Sequence, residues 1–202
     1  MLNRLSVSEA IEALNNDEII IYPTETSYAL GCRAFAQAAV SKLVAVKGRP
    51  DGKPLPVLLP SADYLNQFAI ESPLMPLAKR FWPGALTVVI PCFPNLAREV
   101  SAHTNMVGVR MSAHPIAAAL SEAIGEPIVA TSANVSGMPA AVSAAHCDSA
   151  ELKGVTGLVD GGPLQGDAST VVGLLAGELE VFRAGRLSQE ELESAWAELR
   201  KR

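Results

Sequence analysis

The sequence predicts an α/β fold with a mixed sheet, and three observations lead there. Short apolar runs of strand length alternate with helix-period segments along the whole chain. No repeat, low-complexity tract or interdomain linker interrupts that alternation. At 202 residues the chain is long enough for one domain with a substantial core.

Taken in order, Ser6 and Glu9 have capping-box spacing, and Ala10, Ile11 and Leu14 follow at helical spacing. Ile19-Ile20-Ile21-Tyr22 reads as a buried strand ended by Pro23. Residues 37–47 form a second helix with Val40, Leu43 and Val44 on its apolar side, and Gly48 is placed to stop it. Residues 54–59 read as an edge or entering strand, because Pro54 and Pro56 cannot donate to a ladder. A helix over 74–80 leads into a rigid Trp82-Pro83-Gly84 turn, followed by strands over 86–90 and 107–110. Pro115 opens a helix that runs through Ile124. Residues 127–131 deliver the chain into Ser132-Ala133-Asn134, and 138–154 hold loop and one helix. Strands follow around 157–160, 169–172 and 180–182. A second capping-box pattern, Ser188 and Glu191, then opens a terminal amphipathic helix carrying Leu192, Ala195, Trp196 and Leu199.

Composition narrows the function classes. No run approaches ~18 uncharged apolar residues, which argues against a transmembrane helix. The N-terminus opens a polar-interrupted helix rather than an apolar signal core, so the expectation is a cytoplasmic protein with no membrane association. Cys32, Cys92 and Cys147 are odd in number and form no C-x-x-C pair, and buried free thiols are the reading. A net charge of −5 argues against a non-specific nucleic-acid coat. The charge is uneven, however. Residues 1–120 hold ten Lys/Arg against nine Asp/Glu, whereas 121–202 hold six against twelve. Lys42, Lys47, Arg49 and Lys53 form a basic cluster interrupted only by Asp51, and a cleft beside them can be positive in an acidic protein.

Three polar stretches stand out in this apolar chain: Pro23-Thr24-Glu25-Thr26, Lys47-Gly48-Arg49 and Ser132-Ala133-Asn134-Val135-Ser136-Gly137. They supply hydroxyls, an amide and fixed positive charge without a nucleophile–base pair, an inventory suited to holding and polarising an anion. Lysine brings a mobile point charge and arginine a planar fork for phosphate or carboxylate, although a solvated basic helix end has the same sequence. Ser132 and Asn134 can orient a base, phosphate or ribose, or satisfy an ordinary turn. Alternation puts the Thr24 and Thr26 hydroxyls on one face; Glu25 meets an ammonium or metal ion, or backbone donors in a turn. Arg110 and Arg183 end apolar strands and need an acidic neighbour, solvent or an anionic ligand. The Gly161-Gly162 turn before Ser169-Thr170 allows a mobile cover. His103, His114 and His146 lack metal-ligand spacing, and neither a G-x-x-x-x-G-K-[ST] loop nor a G-x-S-x-G elbow is present.

In combination these segments carry a resemblance. Residues 23–31 (Pro-Thr-Glu-Thr-Ser-Tyr-Ala-Leu-Gly), Lys47-Gly48-Arg49-Pro50, residues 80–87, Val107-Gly108-Val109-Arg110, residues 131–137, Asp160-Gly161-Gly162 and Ser169-Thr170-Val171-Val172 together resemble the YrdC/Sua5 family of threonylcarbamoyl-AMP synthases, in order and over essentially the whole chain. The resemblance implies a single YrdC-like domain over 1–202, with a twisted mixed β-sheet flanked by helices and a concave basic active-site surface. It implies a nucleotidyltransferase that converts L-threonine, bicarbonate and ATP to threonylcarbamoyl-AMP, pyrophosphate and water, for threonylcarbamoyladenosine formation at tRNA position 37. Carried over by motif, Lys47 and Arg49 are catalytic. Lys47, Arg49, Lys53, Ser132, Asn134, Ala140 and Arg183 surround ATP, and Thr26, Arg110, Ala130 (through its backbone) and Ser169 surround threonine. Mg²⁺ is expected on the ATP phosphates, with no metal site of the protein's own. Expected partners are tRNA and the bacterial tRNA-threonylcarbamoylation proteins. The short form, without the additional C-terminal domain of longer Sua5-type proteins, is expected; the oligomeric state is not set. Ala29, Leu58, Ser112 and Gly173 depart from the family's usual glycine, histidine, proline and aspartate. The alternative reading is a divergent tRNA- or double-stranded-RNA-binding relative without synthase activity.

Overall fold

The computed structural model describes residues 1–50, 52–68 and 70–201; Asp51, the acid within the basic cluster, lies outside the described residues. Chain order is α1 (Val7–Asn15), β1 (Ile20–Pro23), β2 (Tyr28–Gly31), α2 (Gln37–Lys47), β3 (Val57–Leu58), a 3₁₀ segment (Ala62–Phe68), α3 (Met75–Phe81), β4 (Leu86–Pro91), α4 (Arg98–Ser101), β5 (Met106–Arg110), α5 (Pro115–Ile124), β6 (Ile128–Val129), β7 (Thr131–Ser132), α6 (Ala144–Ser149), β8 (Gly157–Leu158), β9 (Thr170–Leu175), β10 (Glu178–Arg183) and α7 (Gln189–Leu199). The α/β class holds, with strand pairing both parallel and antiparallel.

Helix ends follow local chemistry. Ser6 accepts from the Glu9 amide while the Glu9 carboxylate returns to the Ser6 amide, the reciprocal box its spacing predicts. Gly48 closes α2 at φ 59°, a left-handed conformation that costs glycine nothing. Ser188 caps α7 through the Glu191 amide.

The strands sort into two sheets, ordered β7-β2-β1-β8 and β10-β9-β4-β5-β3-β6. β1 is buried on both faces. Ile20 and Tyr22 face a small core with Ala10, Leu14, Ala117 and Leu120, while Ile19 and Ile21 join the main core with Val40, Leu43, Val88 and Val109. A continuous apolar run is what such a strand requires.

Residues 54–59 correct the edge-strand expectation. β3 comprises only Val57–Leu58 and lies inside the six-stranded sheet, parallel to β5 and antiparallel to β6. Both prolines precede it, so neither removes a donor from its ladder. The carbonyl of Pro56 is still used, accepting from Ala130 at 2.9 Å. β2, α4 and the 3₁₀ segment add to the elements that the sequence predicts; each is short, and tertiary contacts outweigh propensity at that length.

Consecutive strands β6 and β7 belong to different sheets, and Ala130 is the residue between them. The crossing is tight. Tyr22 donates to the Val129 carbonyl at 2.8 Å, and the amides of Val129 and Ala133 donate to the carbonyls of Cys32, just after β2, and Tyr28, its first residue. A β-carbon at Gly31 would collide with the Val129 carbonyl oxygen and the Tyr22 ring.

Candidate active site

Where the chain changes sheets, a cavity of about 200 Å³ opens between them. Its wall includes Thr24, Thr26 and Ala29 in and before β2, Ala130 and Ser132 at the crossing, Thr87, Arg110 and Arg183 from the six-stranded sheet with Ser169 just before β9, and Arg49 and Ala140. Strand register explains the third group. Thr87 pairs with Val171 and flanks Val88, whose partner is Val109, so Thr87 and Arg110 point away from the Val88–Val109 core.

The two threonine hydroxyls do meet, through the turn between β1 and β2 rather than through extended alternation, with Thr24 Oγ1 accepting the Thr26 and Ser27 amides at 3.3 Å. Thr24 Oγ1 and Thr26 Oγ1 are 2.8 Å apart, and Thr24 also donates to the Ser27 carbonyl. Arg110 is 6% exposed and reaches Thr26 Oγ1 at 3.4 Å. Its acidic neighbour is Glu25, with Arg110 Nη2 3.5 Å from Oε2; that same oxygen accepts a hydrogen bond from Ser112. Arg110 Nε and Glu25 Oε1 nonetheless have no hydrogen-bond partner. Of the alternatives for Glu25, the arginine and Ser112 take its carboxylate, and its backbone carbonyl receives Arg186 at 3.4 Å.

Arg183 donates to the Ser169 carbonyl at 2.8 Å and to Ser169 Oγ at 2.8 Å, and Ser169 Oγ lies 2.9 Å from Thr87 Oγ1. Arg49 is held by the carbonyls of Lys53 (3.0 Å) and Pro54 (2.7 Å). Burial lowers the pKa of all three arginines. Arg183 adds to the effect on Arg49 and Arg110 to that on Arg183, whereas Glu25 partly offsets it at Arg110. Three guanidinium groups thus share one hollow and repel one another, and the Glu25 carboxylate faces Arg110 alone among them. Such a site favours an anion.

Lys47 has a different place. Only 2% exposed, it lies beneath the Ser132–Asn134 segment rather than on the cavity wall. Its ammonium donates to the Ser132 carbonyl (2.6 Å), the Asn134 carbonyl (3.0 Å) and Asn134 Oδ1 (3.2 Å). Burial, with a smaller contribution from Arg49, pushes its pKa down to about 8. Asn134 Nδ2 is committed to the carbonyls of Val135 and Met138. Lys53 lines a neighbouring hollow with Arg49, Glu99 and His103. A third hollow, about 590 Å³ and lined by Val135, Met138, Ala141 and His146, shares Ala140 with the cavity. Of the eleven residues singled out, Thr26, Arg49, Arg110, Ala130, Ser132, Ala140, Ser169 and Arg183 border one cavity; Lys47, Asn134 and Lys53 do not.

Thr87 and Tyr28 add to the site residues that the sequence singles out. A lone buried hydroxyl within Leu86–Ile90 is the signal that marks Thr87. Tyr28 had no such signal. It receives the Gly161 amide at 3.0 Å and donates to the Gly162 carbonyl at 2.8 Å, anchoring the glycine turn proposed as a cover.

A family model covering Sua5, YciO and YrdC, described as "Telomere recombination", matches residues 12–185. The chain belongs to this family.

Among its relatives, the threonylcarbamoyl-AMP synthase of Bacillus subtilis is 39% identical over 197 residues, covering 95% of this chain and 57% of that protein. The chain therefore spans little more than half of that relative's length. The synthase of Xanthomonas axonopodis pv. citri is 39% identical over 80% of this chain and 88% of its own. Structurally, Pyrococcus abyssi Sua5 complexed with L-threonine superposes with a TM-score of 0.89 at 36% identity, over 96% of this chain and 58% of that one. Escherichia coli YciO gives 0.81 at 27% identity over 92% of both. The YrdC-like fold, with its mixed sheets flanked by helices, is thus shared across the family.

Set in the YrdC-like fold, the four departures have distinct surroundings. Ala29 and Leu58 line the cavity. Ser112 donates to Glu25 and accepts the His114 amide at 3.2 Å. Gly173 leaves room for the Phe182 ring, with which a β-carbon would collide.

Proposed function

We propose that this chain is an L-threonylcarbamoyladenylate synthase, a nucleotidyltransferase joining L-threonine, bicarbonate and ATP. The convergence of Arg49, Arg110 and Arg183 on one hydroxyl-lined cavity carries the reading, supported by the synthase activity named for its relatives. Arg110, deep in the cavity beside Thr26, is the partner for the amino acid's carboxylate, replacing its loose contact with Glu25. Arg49 and Arg183, nearer the margin, face the triphosphate, and Ser132 and Ala140 border its path.

In the proposed chemistry, the threonine amine adds to the carbon of CO₂ derived from bicarbonate, which leaves its oxygen as water, and a proton departs to give the carbamate. A carbamate oxygen attacks the α-phosphorus, and the bond from that phosphorus to the bridging oxygen breaks with release of pyrophosphate. No protein nucleophile is needed; the arginines orient both anions and stabilise the charge that develops. Among the described residues no three His, Cys, Asp or Glu side chains group as metal ligands, and Mg²⁺ belongs in this proposal on the ATP phosphates, where it would neutralise the leaving pyrophosphate. Lys47 acts by holding Ser132 and Asn134. Delivery of the adenylate toward tRNA position 37, and a cytoplasmic location, belong to the same proposal; no helix among the described residues is long and apolar enough to cross a membrane.

The test is pyrophosphate release from MgATP and bicarbonate with and without L-threonine, with the nucleotide product identified by mass. Threonine-dependent release with a threonylcarbamoyl-adenylate mass is the expected result. Folded protein that gives neither, yet binds tRNA, would replace this reading with an RNA-binding one.

A further inference from the structure

The outer part of the cavity-side face of the six-stranded sheet is apolar and partly covered. By register, Val89, Gly108, Val171 and Gly173 lie on the same face as Thr87 and Arg110, away from the core. Val89 and Val171 are half-buried, and exposed Glu180 marks the edge of the face opposite Gly173. The pairing of β10 with β9 then slips: Val181 opposes Val172 and Arg183 opposes Val171, leaving Phe182 without a partner. In a regular strand, Phe182 and Arg183 would point to opposite faces. The bulge instead turns both toward this one, where the Phe182 ring covers Gly173 and Arg183 reaches Ser169. Phe182 is 52% exposed, its ring resting on a position where any side chain would displace it.

We propose that Phe182 is the stacking platform for the adenine of the bound nucleotide, placed by the bulge and by Gly173 beside the guanidinium that meets its phosphates. The inference rests on the ATP reading above and names the subsite for the base. An aromatic face next to a phosphate-binding arginine matches the two ends of a nucleotide, whereas the hollow beside Met138 has His146 as its one ring among the described residues and no arginine in its lining.

Titration calorimetry of the purified chain with MgATP and with magnesium tripolyphosphate separates base from phosphate. Phe182→Ala should weaken ATP binding about tenfold and leave tripolyphosphate binding within about twofold. Phe182→Tyr should retain ATP affinity, and Gly173→Ala, which displaces the ring without removing it, should reproduce the selective loss. Unchanged ATP affinity in Phe182→Ala, equal losses for both ligands, or a selective loss in Met138→Ser in its place would overturn the platform while leaving the ATP reading intact. Wild-type protein that is folded but binds neither ligand would overturn both.

Discussion

At the residue scale, Arg110 and Lys47 show how burial turns a charge into a functional group. Arg110 faces Glu25 at 3.5 Å with Nε unpartnered, so it is only partly satisfied by the protein. Arg110→Met should raise the KM for threonine much more than that for ATP, and should also destabilise the fold by about 3 kcal/mol, because the half-buried Glu25 carboxylate loses its cationic partner and keeps only the Ser112 hydroxyl. Adding Glu25→Gln should restore most of that stability in a denaturant titration without restoring threonine use. Lys47 makes a separate prediction through pH. Its pKa is near 8, below the ordinary lysine range, so between those values the unfolded chain binds more protons than the native one. Stability from this group therefore rises with pH across that window. ATP affinity should move the opposite way, falling as pH rises through about 8 while the positive charge beneath Ser132 is lost. Calorimetry without threonine from pH 7 to 9.5 reads that step, and Lys47→Met should bind more weakly throughout and lack it.

At the element scale, the crossing from β6 to β7 depends on one glycine. Gly31→Ala would force apart β2 and the Val129 carbonyl on which the sheet change turns. A loss of about 1–3 kcal/mol is expected in urea unfolding, with threonine use impaired because Ala130 and Ser132 move with the crossing. Ser6→Ala is the contrast. It removes a helix cap far from the cavity and should cost about 1 kcal/mol, with unchanged kcat and KM. Elements with local signals were legible beforehand, among them the capped helices α1 and α7, α2 with its Gly48 stop, and α5 behind Pro115. β2, β3 and β7 were not read correctly, because strands of two to four residues take their identity from partners distant in sequence.

At the scale of the whole molecule, a protein of net charge −5 surrounds its cavity with arginines. Clustering, rather than net charge, sets the local potential. ATP binding should therefore weaken steadily as salt rises from about 50 to 500 mM, over which screening contracts to a few Å. At fixed ionic strength, non-specific single-stranded RNA should compete poorly with ATP, as measured by displacement. Strong salt-dependent RNA binding in the absence of ATP affinity would favour the RNA-binding alternative instead.

The sequence by itself determined the α/β class, the capped helices, family membership through motifs in order, and eight of the residues that line the cavity. Such features are written in residue type and short spacing. Only the tertiary structure decided that two sheets meet at Ala130, that β3 is interior, that Lys47 supports Ser132 and Asn134 from below, and that a bulge brings Phe182 beside Arg183. Each of these depends on pairings between segments tens of residues apart, and on whether a side chain meets carbonyls or open space once those segments pack.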